Sequence, residues 1–283
     1  MFEVSEAYLK WFIEYGLKED VGSGDHTSNA CIDPKSRSKA ALIVKDHGLI
    51  AGVELAKMIF LEVDPKMSFE TYFTDGKPVI YGDIAFEVTC NTRSLLMVER
   101  LILNTMQRMS GIASMSSRFA FEVNDLPVKI LDTRKTTPLL RPLEKWAVKI
   151  GGCQNYRTGL YDWIMIKDNH IDAAGGISEA IVSVHQYLKD QKLNLGITIE
   201  VRNLVELQEV LEVGGVTRIM LDNFEIPLLK EAVETVDGRF ETEASGGIHL
   251  QNVRKIAMTG VDYISTGAVT HSAGILDLSL KII

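Results

Sequence analysis

The hydrophobic pattern changes character along the chain. Between Ala41 and Val88 short β-like runs (Ala41–Val44, Leu49–Gly52, Met67–Phe73 and Ile84–Val88) are separated by turn chemistry at Asp46-His47-Gly48, Asp75-Gly76 and Tyr81-Gly82-Asp83. A helical stretch from Glu54 to Glu62 lies among them and is closed by Asp64-Pro65. From Arg93 to Asn124 the period becomes helical: Leu96, Arg100, Leu103, Met106, Gln107 and Ser110 recur every three or four residues, with a break expected near Gly111. The region before this helix thus reads as a small α+β unit of roughly 90 residues, with a domain boundary near residue 110.

The second half repeats one theme six times. Short apolar runs begin at Val128, Asp162, Ile197, Arg218, Phe240 and Asp262, and each ends in polar residues or glycine before a helical segment. One such segment places Leu204, Leu207, Val210 and Leu211 on a single face. The last four runs start about 22 residues apart, the length of one strand–loop–helix unit. Repeated βα units predict a parallel sheet with right-handed crossovers, and so many in series predict an α/β barrel of TIM type over residues 111–272. Fewer than eight units are visible, so the barrel is expected to be incomplete or irregular.

In such a barrel the carboxyl ends of the strands carry the chemistry. Here those ends hold Arg134-Lys135, followed by Arg141; Arg157 before the second run and Lys167 at its end; Glu200; Asp222; Ser245-Gly246-Gly247; and Thr266-Gly267. The chain as a whole is acidic, with 38 Asp and Glu against 30 Lys and Arg and a formal net charge of -8, which argues against nucleic acid or an acidic membrane as a partner. Cations gathered on one rim of an acidic protein therefore point to a small ligand with several negative charges. The two glycine turns suit a phosphate held by backbone N–H groups, and Glu200 and Asp222 suit Mg²⁺ or ribose hydroxyls. A phosphorylated sugar fits all three. Lys167, after four residues of Trp163-Ile164-Met165-Ile166, suits an anion site or a Schiff-base nucleophile. His170, His249 and His271 read as capping or packing residues, since no two have metal-ligand spacing.

Cys31, Cys90 and Cys153 are too scattered for a disulfide framework, and the opening Met1-Phe2-Glu3-Val4-Ser5-Glu6 carries no basic start or apolar core; both features predict a cytoplasmic protein without a signal peptide.

Longer strings now matter. Glu99 to Ala113 (ERLILNTMQRMSGIA), Leu131 to Arg141 (LDTRKTTPLLR), Glu144 to Gly152 (EKWAVKIGG) and Gly159 to His170 (GLYDWIMIKDNH) closely resemble the quinolinate phosphoribosyltransferases. The strings IMLDNF, EASGGI and DYISTGAVTHS follow in the family's order, and EDVGSGDHTS resembles its opening, so the resemblance covers essentially the whole chain. It implies an N-terminal α/β sandwich domain (1–110, rejoined by 273–283) and an incomplete α/β barrel. It also implies transfer from 5-phosphoribosyl 1-pyrophosphate to quinolinate with Mg²⁺ and no organic cofactor. The products would be nicotinate mononucleotide, pyrophosphate and CO₂.

On the matching positions, Arg134, Arg157 and Lys167 would hold the quinolinate carboxylates, with Arg100 reaching the same pocket from a neighbouring subunit of a homodimer or larger homo-oligomer. From its own surroundings in the sequence Arg100 reads only as an exposed helix residue. Lys135, Glu200 and Asp222 would surround the ribose and the metal-bound pyrophosphate, while Ser245, Gly246, Gly247 and Gly267 would take the 5′-phosphate. Lys135, Lys167, Glu200 and Asp222 would carry the catalytic work, with Glu200 and Asp222 on the metal. One position departs from the family: Tyr156 stands where a histidine is usual beside the acid, so altered quinolinate affinity is expected. Three rivals accompany this reading. They are a relative of the same fold from molybdenum-transport operons acting on another acid, a Lys167 Schiff-base aldolase, and a barrel that only binds phosphosugars.

Overall fold

The computed structural model describes residues 4–283; Met1, Phe2 and Glu3, part of the opening segment considered above, lie outside it. The chain divides into two compact units. The first takes the residues up to Ser117, Thr137–Gly152 and Ser272–Ile283, and the second takes Arg118–Thr136 and Cys153–His271. The first elements are α1 (Glu6–Val21), α2 (His26–Cys31), β1 (Arg37–Val44), β2 (Gly48–Leu49), α3 (Val53–Val63) and β3 (Ser68–Thr71). Next come β4 (Pro78–Val79), β5 (Ile84–Asn91), α4 (Thr92–Glu122), β6 (Lys129–Leu131), α5 (Arg141–Ile150) and β7 (Ile164–Ile166). They are followed by α6 (Asp168–Ala174), α7 (Ile177–Gln191), β8 (Ile197–Val201), α8 (Leu204–Val213), β9 (Arg218–Asp222) and α9 (Ile226–Val236). The last are β10 (Glu241–Ser245), α10 (Leu250–Ala257), β11 (Tyr263–Ser265), α11 (Ala268–His271) and β12 (Leu278–Ile282).

In the first unit an antiparallel sheet runs β12-β1-β5-β3. Alternation buries Ala40, Leu42 and Val44 of β1, and Phe60 of α3 meets Phe69 and Phe86 of the sheet at ring-centre distances of 6.2 and 6.3 Å. Helices α1 and α2 start on Ser5 and Asp25, whose side chains accept from Tyr8 N and Ser28 N.

Helix α4 runs unbroken through Gly111, contrary to the break expected there. The glycine answers to packing: a Cβ at this position would lie 1.9 Å from the Gly274 carbonyl oxygen. In Gly111→Ala the helix-propensity gain of about 1 kcal/mol is outweighed by backbone collision. A net loss of about 3 kcal/mol of stability is expected, read as a lower midpoint in urea unfolding with an unchanged slope.

In the second unit six parallel strands run β6-β11-β10-β9-β8-β7. The registers Thr198↔Arg218, Glu200↔Met220, Glu243↔Met220 and Ser245↔Asp222 stack alternate residues of neighbouring strands in layers. Ile199, Ile219, Leu221 and Ile264 are buried in the intervening positions. Among the described residues β6 and β7 share no ladder, only an isolated bridge from Leu131 to Gln154 near the gap. The fold is α/β, comprising an incomplete barrel and an N-terminal domain. Among the described residues no helix is long and apolar enough to cross a membrane.

Candidate active site

The carboxyl ends of the parallel strands enclose a pocket of about 220 Å³ in the second unit. Arg134, Lys135, Arg157 and Lys167 bring four cations to it, and Thr133, Tyr156, Met165, Met220, Ser245 and Ser265 complete the wall.

Local chemistry places each. Just past β6, buried Asp132 accepts from Asn155 Nδ2 at 2.7 Å and from the Tyr156 backbone at 2.8 Å, pinning the segment that delivers Tyr156 and Arg157. Asp162 caps the following turn by accepting from Thr158 N and Gly159 N. Arg157 Nη1 donates to the Trp163 carbonyl at 3.4 Å. Burial, then the neighbouring Arg134 guanidinium, lower the Arg157 pKa against the opposing pull of Tyr156, Asp162 and Glu243. Tyr156 is neutral at pH 7, since burial and then the Glu243 carboxylate push its phenol up.

Lys167, at the end of β7, donates to Glu200 Oε2 at 2.6 Å, and Glu200 is only 9% exposed on β8. This ion pair matches the lysine's charge, whereas a Schiff-base lysine is activated by an apolar pocket or another cation. His170 Nδ1 accepts from the Lys167 backbone and His249 caps α10, so both serve as capping residues.

The glycine turns lie at the ends of β10 and β11. Gly246 and Gly247 have φ of +92° and +59°, the left-handed region that glycine enters without strain. A Cβ on Gly246 would approach Asn223 Oδ1 to 2.1 Å, and one on Gly267 would come within 2.9 Å of Lys135 Cδ. Among the described residues no hydrogen bond uses the N–H of Gly246, Gly247 or Gly267, which leaves these donors for an anion. Thr270, fully buried, donates to the Lys135 carbonyl at 2.8 Å and ties that loop to α11.

Of the residues singled out from the sequence, Arg134, Lys135, Tyr156, Arg157, Lys167 and Ser245 share the pocket wall. Glu200 joins through Lys167, Asp222 is in register with Ser245, and Gly246, Gly247 and Gly267 continue the same strand ends. Arg100 is exposed on α4 in the first unit, beside Glu19 and Asp20. Arg141, counted with the rim above, instead opens α5 in the first unit. Sequence reasoning missed Asp132, Thr198, Arg218, Glu243 and Thr270. Thr198 and Glu243 did carry a signal: each stands two residues before a residue already singled out on its strand, and so shares its face.

Residues 25–110 match the family Quinolinate phosphoribosyl transferase, N-terminal domain, and residues 112–281 match its C-terminal domain. Among curated proteins, the quinolinate phosphoribosyltransferase [decarboxylating] 2a, mitochondrial, of Nicotiana tabacum is 49% identical over 97% of this chain and 82% of its own length. The NadC structure from Streptococcus pyogenes covers 99% of this chain and 98% of its own, at 36% identity and a TM-score of 0.93. The nicotinate-nucleotide pyrophosphorylase structure from Francisella tularensis covers 100% of this chain and 98% of its own, at 33% identity and a TM-score of 0.92.

Proposed function

The chain belongs to the quinolinate phosphoribosyltransferase family, and from that premise we propose which of its residues carry the reaction. It transfers a phosphoribosyl group to quinolinate with decarboxylation, in NAD biosynthesis. The observation that carries the residue assignment is the convergence of four cations on one pocket of an acidic protein.

Quinolinate is a dianion and the phosphoribosyl donor bears several further charges, so the two repel unless cations stand between them. Arg134 and Arg157 present planar forks that pair with carboxylates bidentately, and Lys167 adds a point charge. The acid's ring nitrogen attacks the anomeric carbon as the bond to pyrophosphate breaks. Positive charge builds on the ribose in between, and Glu200 and Asp222 stabilise it. Lys135 balances the departing pyrophosphate, while Ser245 and the N–H groups of Gly246, Gly247 and Gly267 hold the 5′-phosphate. The carboxylate beside the ring nitrogen then leaves as CO₂. Its electron pair stays on the ring carbon, stabilised by the adjacent pyridinium, until that carbon takes a proton from solvent water. What the protein adds to this last step is a ring held fixed by the cations that bind its carboxylates.

Among the described residues no group of three or more His, Cys, Asp or Glu is placed to hold a metal ion. The two carboxylates near the ends of the adjacent strands β8 and β9, Glu200 and Asp222, suit Mg²⁺ in its usual mode with phosphates, where the ion keeps several waters and uses one or two carboxylates. Glu200 and Asp222 would supply these, and Mg²⁺ would neutralise charge on the leaving pyrophosphate. Cys31, Cys90 and Cys153 are thiols rather than disulfides, which suits a reducing compartment such as the cytoplasm.

A homodimer in which Arg100 of one subunit completes the acid site of the other is the smallest assembly consistent with this assignment. Exposure of Arg100 on α4 supports it. Mixing inactive Arg100→Ala with inactive Lys167→Ala protein, under conditions where subunits exchange, is expected to restore about a quarter of wild-type activity. That is the statistical yield when half the dimers are mixed and each mixed dimer has one intact site of its two. No recovery despite proven exchange would remove the shared site.

A further inference from the structure

Next to the acid subsite lies a buried layer of the barrel that no step above uses. Arg218, the first residue of β9, is 6% exposed, and its guanidinium carbon stands 3.6 Å from the Tyr263 ring centre, 5.1 Å from Tyr156 and 5.8 Å from Trp163. Its nitrogens reach Glu241 at 2.8 Å and Glu243 at 3.2 Å. One layer partner is Thr198, fully buried on β8 and in register with Arg218. Its Oγ1 accepts from Trp163 Nε1 at 2.9 Å and shares a 2.7 Å hydrogen bond with the Tyr156 hydroxyl.

Two consequences follow for the pocket. The Tyr156 hydroxyl is engaged by the buried Thr198 and faces the buried Glu243 carboxylate, so this side chain offers a ligand its ring rather than a hydrogen-bond donor. Trp163, held by the same oxygen, carries the carbonyl that receives Arg157. One hydroxyl therefore ties Tyr156, which lines the pocket with Arg157, and Trp163, whose backbone receives the Arg157 guanidinium, while Arg218 backs both rings with its cation against their faces.

We propose that Thr198, backed by Arg218, is a positioning residue for quinolinate: it locks Tyr156 as an aromatic wall and fixes Trp163 behind Arg157. The proposal rests on Tyr156 and Arg157 forming the acid subsite. Core packing alone needs the threonine hydroxyl satisfied, which either aromatic partner achieves; aligning the acid requires both partners tied at once.

A double-mutant cycle tests this through steady-state kinetics with quinolinate and phosphoribosyl pyrophosphate. Thr198→Val is expected to raise the quinolinate KM roughly fivefold to tenfold, the scale of one buried hydrogen bond. The KM for phosphoribosyl pyrophosphate should stay within about twofold and kcat within about threefold on the same scale. Tyr156→Phe breaks the same tie and should give a similar rise, and the double variant should be no worse than the larger single effect. Effects that multiply in the double variant would overturn the proposal, because the two groups would then act separately. An unchanged quinolinate KM in either single variant would overturn it too, and Tyr156→Phe keeps the test open should Thr198→Val fail to fold. Tyr156→Ala separates the two levels. A raised quinolinate KM there with an unchanged one in Thr198→Val removes only the brace, whereas no change in Tyr156→Ala removes the acid-subsite reading beneath it.

Discussion

Arg157→Ala is expected to raise the quinolinate KM by about thirtyfold to several-thousandfold, equivalent to the roughly 2–5 kcal/mol lost when one partner of a desolvated charge pair is removed. The KM for phosphoribosyl pyrophosphate should move only a few-fold, since the glycine turns lie on other strands. Stability should not fall with it. Arg157 stands close to Arg134, and burial and that neighbour both disfavour its charge in the free protein. Removing it relieves repulsion, so the thermal midpoint is expected to stay level or rise slightly. A binding defect with no stability defect separates a ligand-directed cation from a structural one. Arg218 gives the contrast: paired with Glu241 and Glu243, its loss would strand a fully buried carboxylate. An unchanged quinolinate KM in Arg157→Ala would move the acid out of this pocket.

Gly246→Ala should produce the second large effect, at the opposite end of the substrate pair. The residue has φ of +92°, and a Cβ would sit 2.1 Å from Asn223 Oδ1 and 2.9 Å from Asn223 N. One contact is with the backbone, so a rotamer change alone does not relieve it, and the loop must shift. Displacement of phosphate-binding donors on the ångström scale costs on the order of tenfold to a hundredfold. The loss should appear in the KM for phosphoribosyl pyrophosphate, while quinolinate binding measured alone by calorimetry stays the same. Gly247→Ala is the internal control. Its φ is +59° but nothing lies within 4 Å of the added atom, so only the left-handed strain of about 1 kcal/mol applies. Equal effects at both glycines would contradict a phosphate loop anchored by the Asn223 contact.

Much of this architecture is legible from the chain, for a physical reason. Strands of a parallel sheet are buried on both faces, so they appear as continuous apolar runs, and polar residues at their carboxyl ends stand out. All six runs, from Val128 to Asp262, became strands of the one parallel sheet. Features set by distant backbone were not legible. Gly111 reads locally as a helix breaker, yet its reason is Gly274, far along the chain. Arg141 follows Arg134 closely in sequence, but the loop between them leaves the second unit and α5 packs with the first. Arg218 at the head of its strand resembles a solvent-facing end. Only the register that sets it against Thr198 and Glu241 reveals a buried cation. Arg100 shows the limit most plainly: it reads as an exposed helix residue, and the role proposed for it in a neighbouring subunit would leave no local signature.

The most direct test is product stoichiometry. Purified protein is incubated with phosphoribosyl pyrophosphate, Mg²⁺ and quinolinate carrying ¹³C in the carboxyl beside the ring nitrogen, and products are followed by mass spectrometry. One labelled CO₂ is expected for each nicotinate mononucleotide formed, with both signals lost in Arg157→Ala at low quinolinate. Phosphoribosyl pyrophosphate that binds while neither product appears would contradict the assignment of the four-cation pocket to quinolinate.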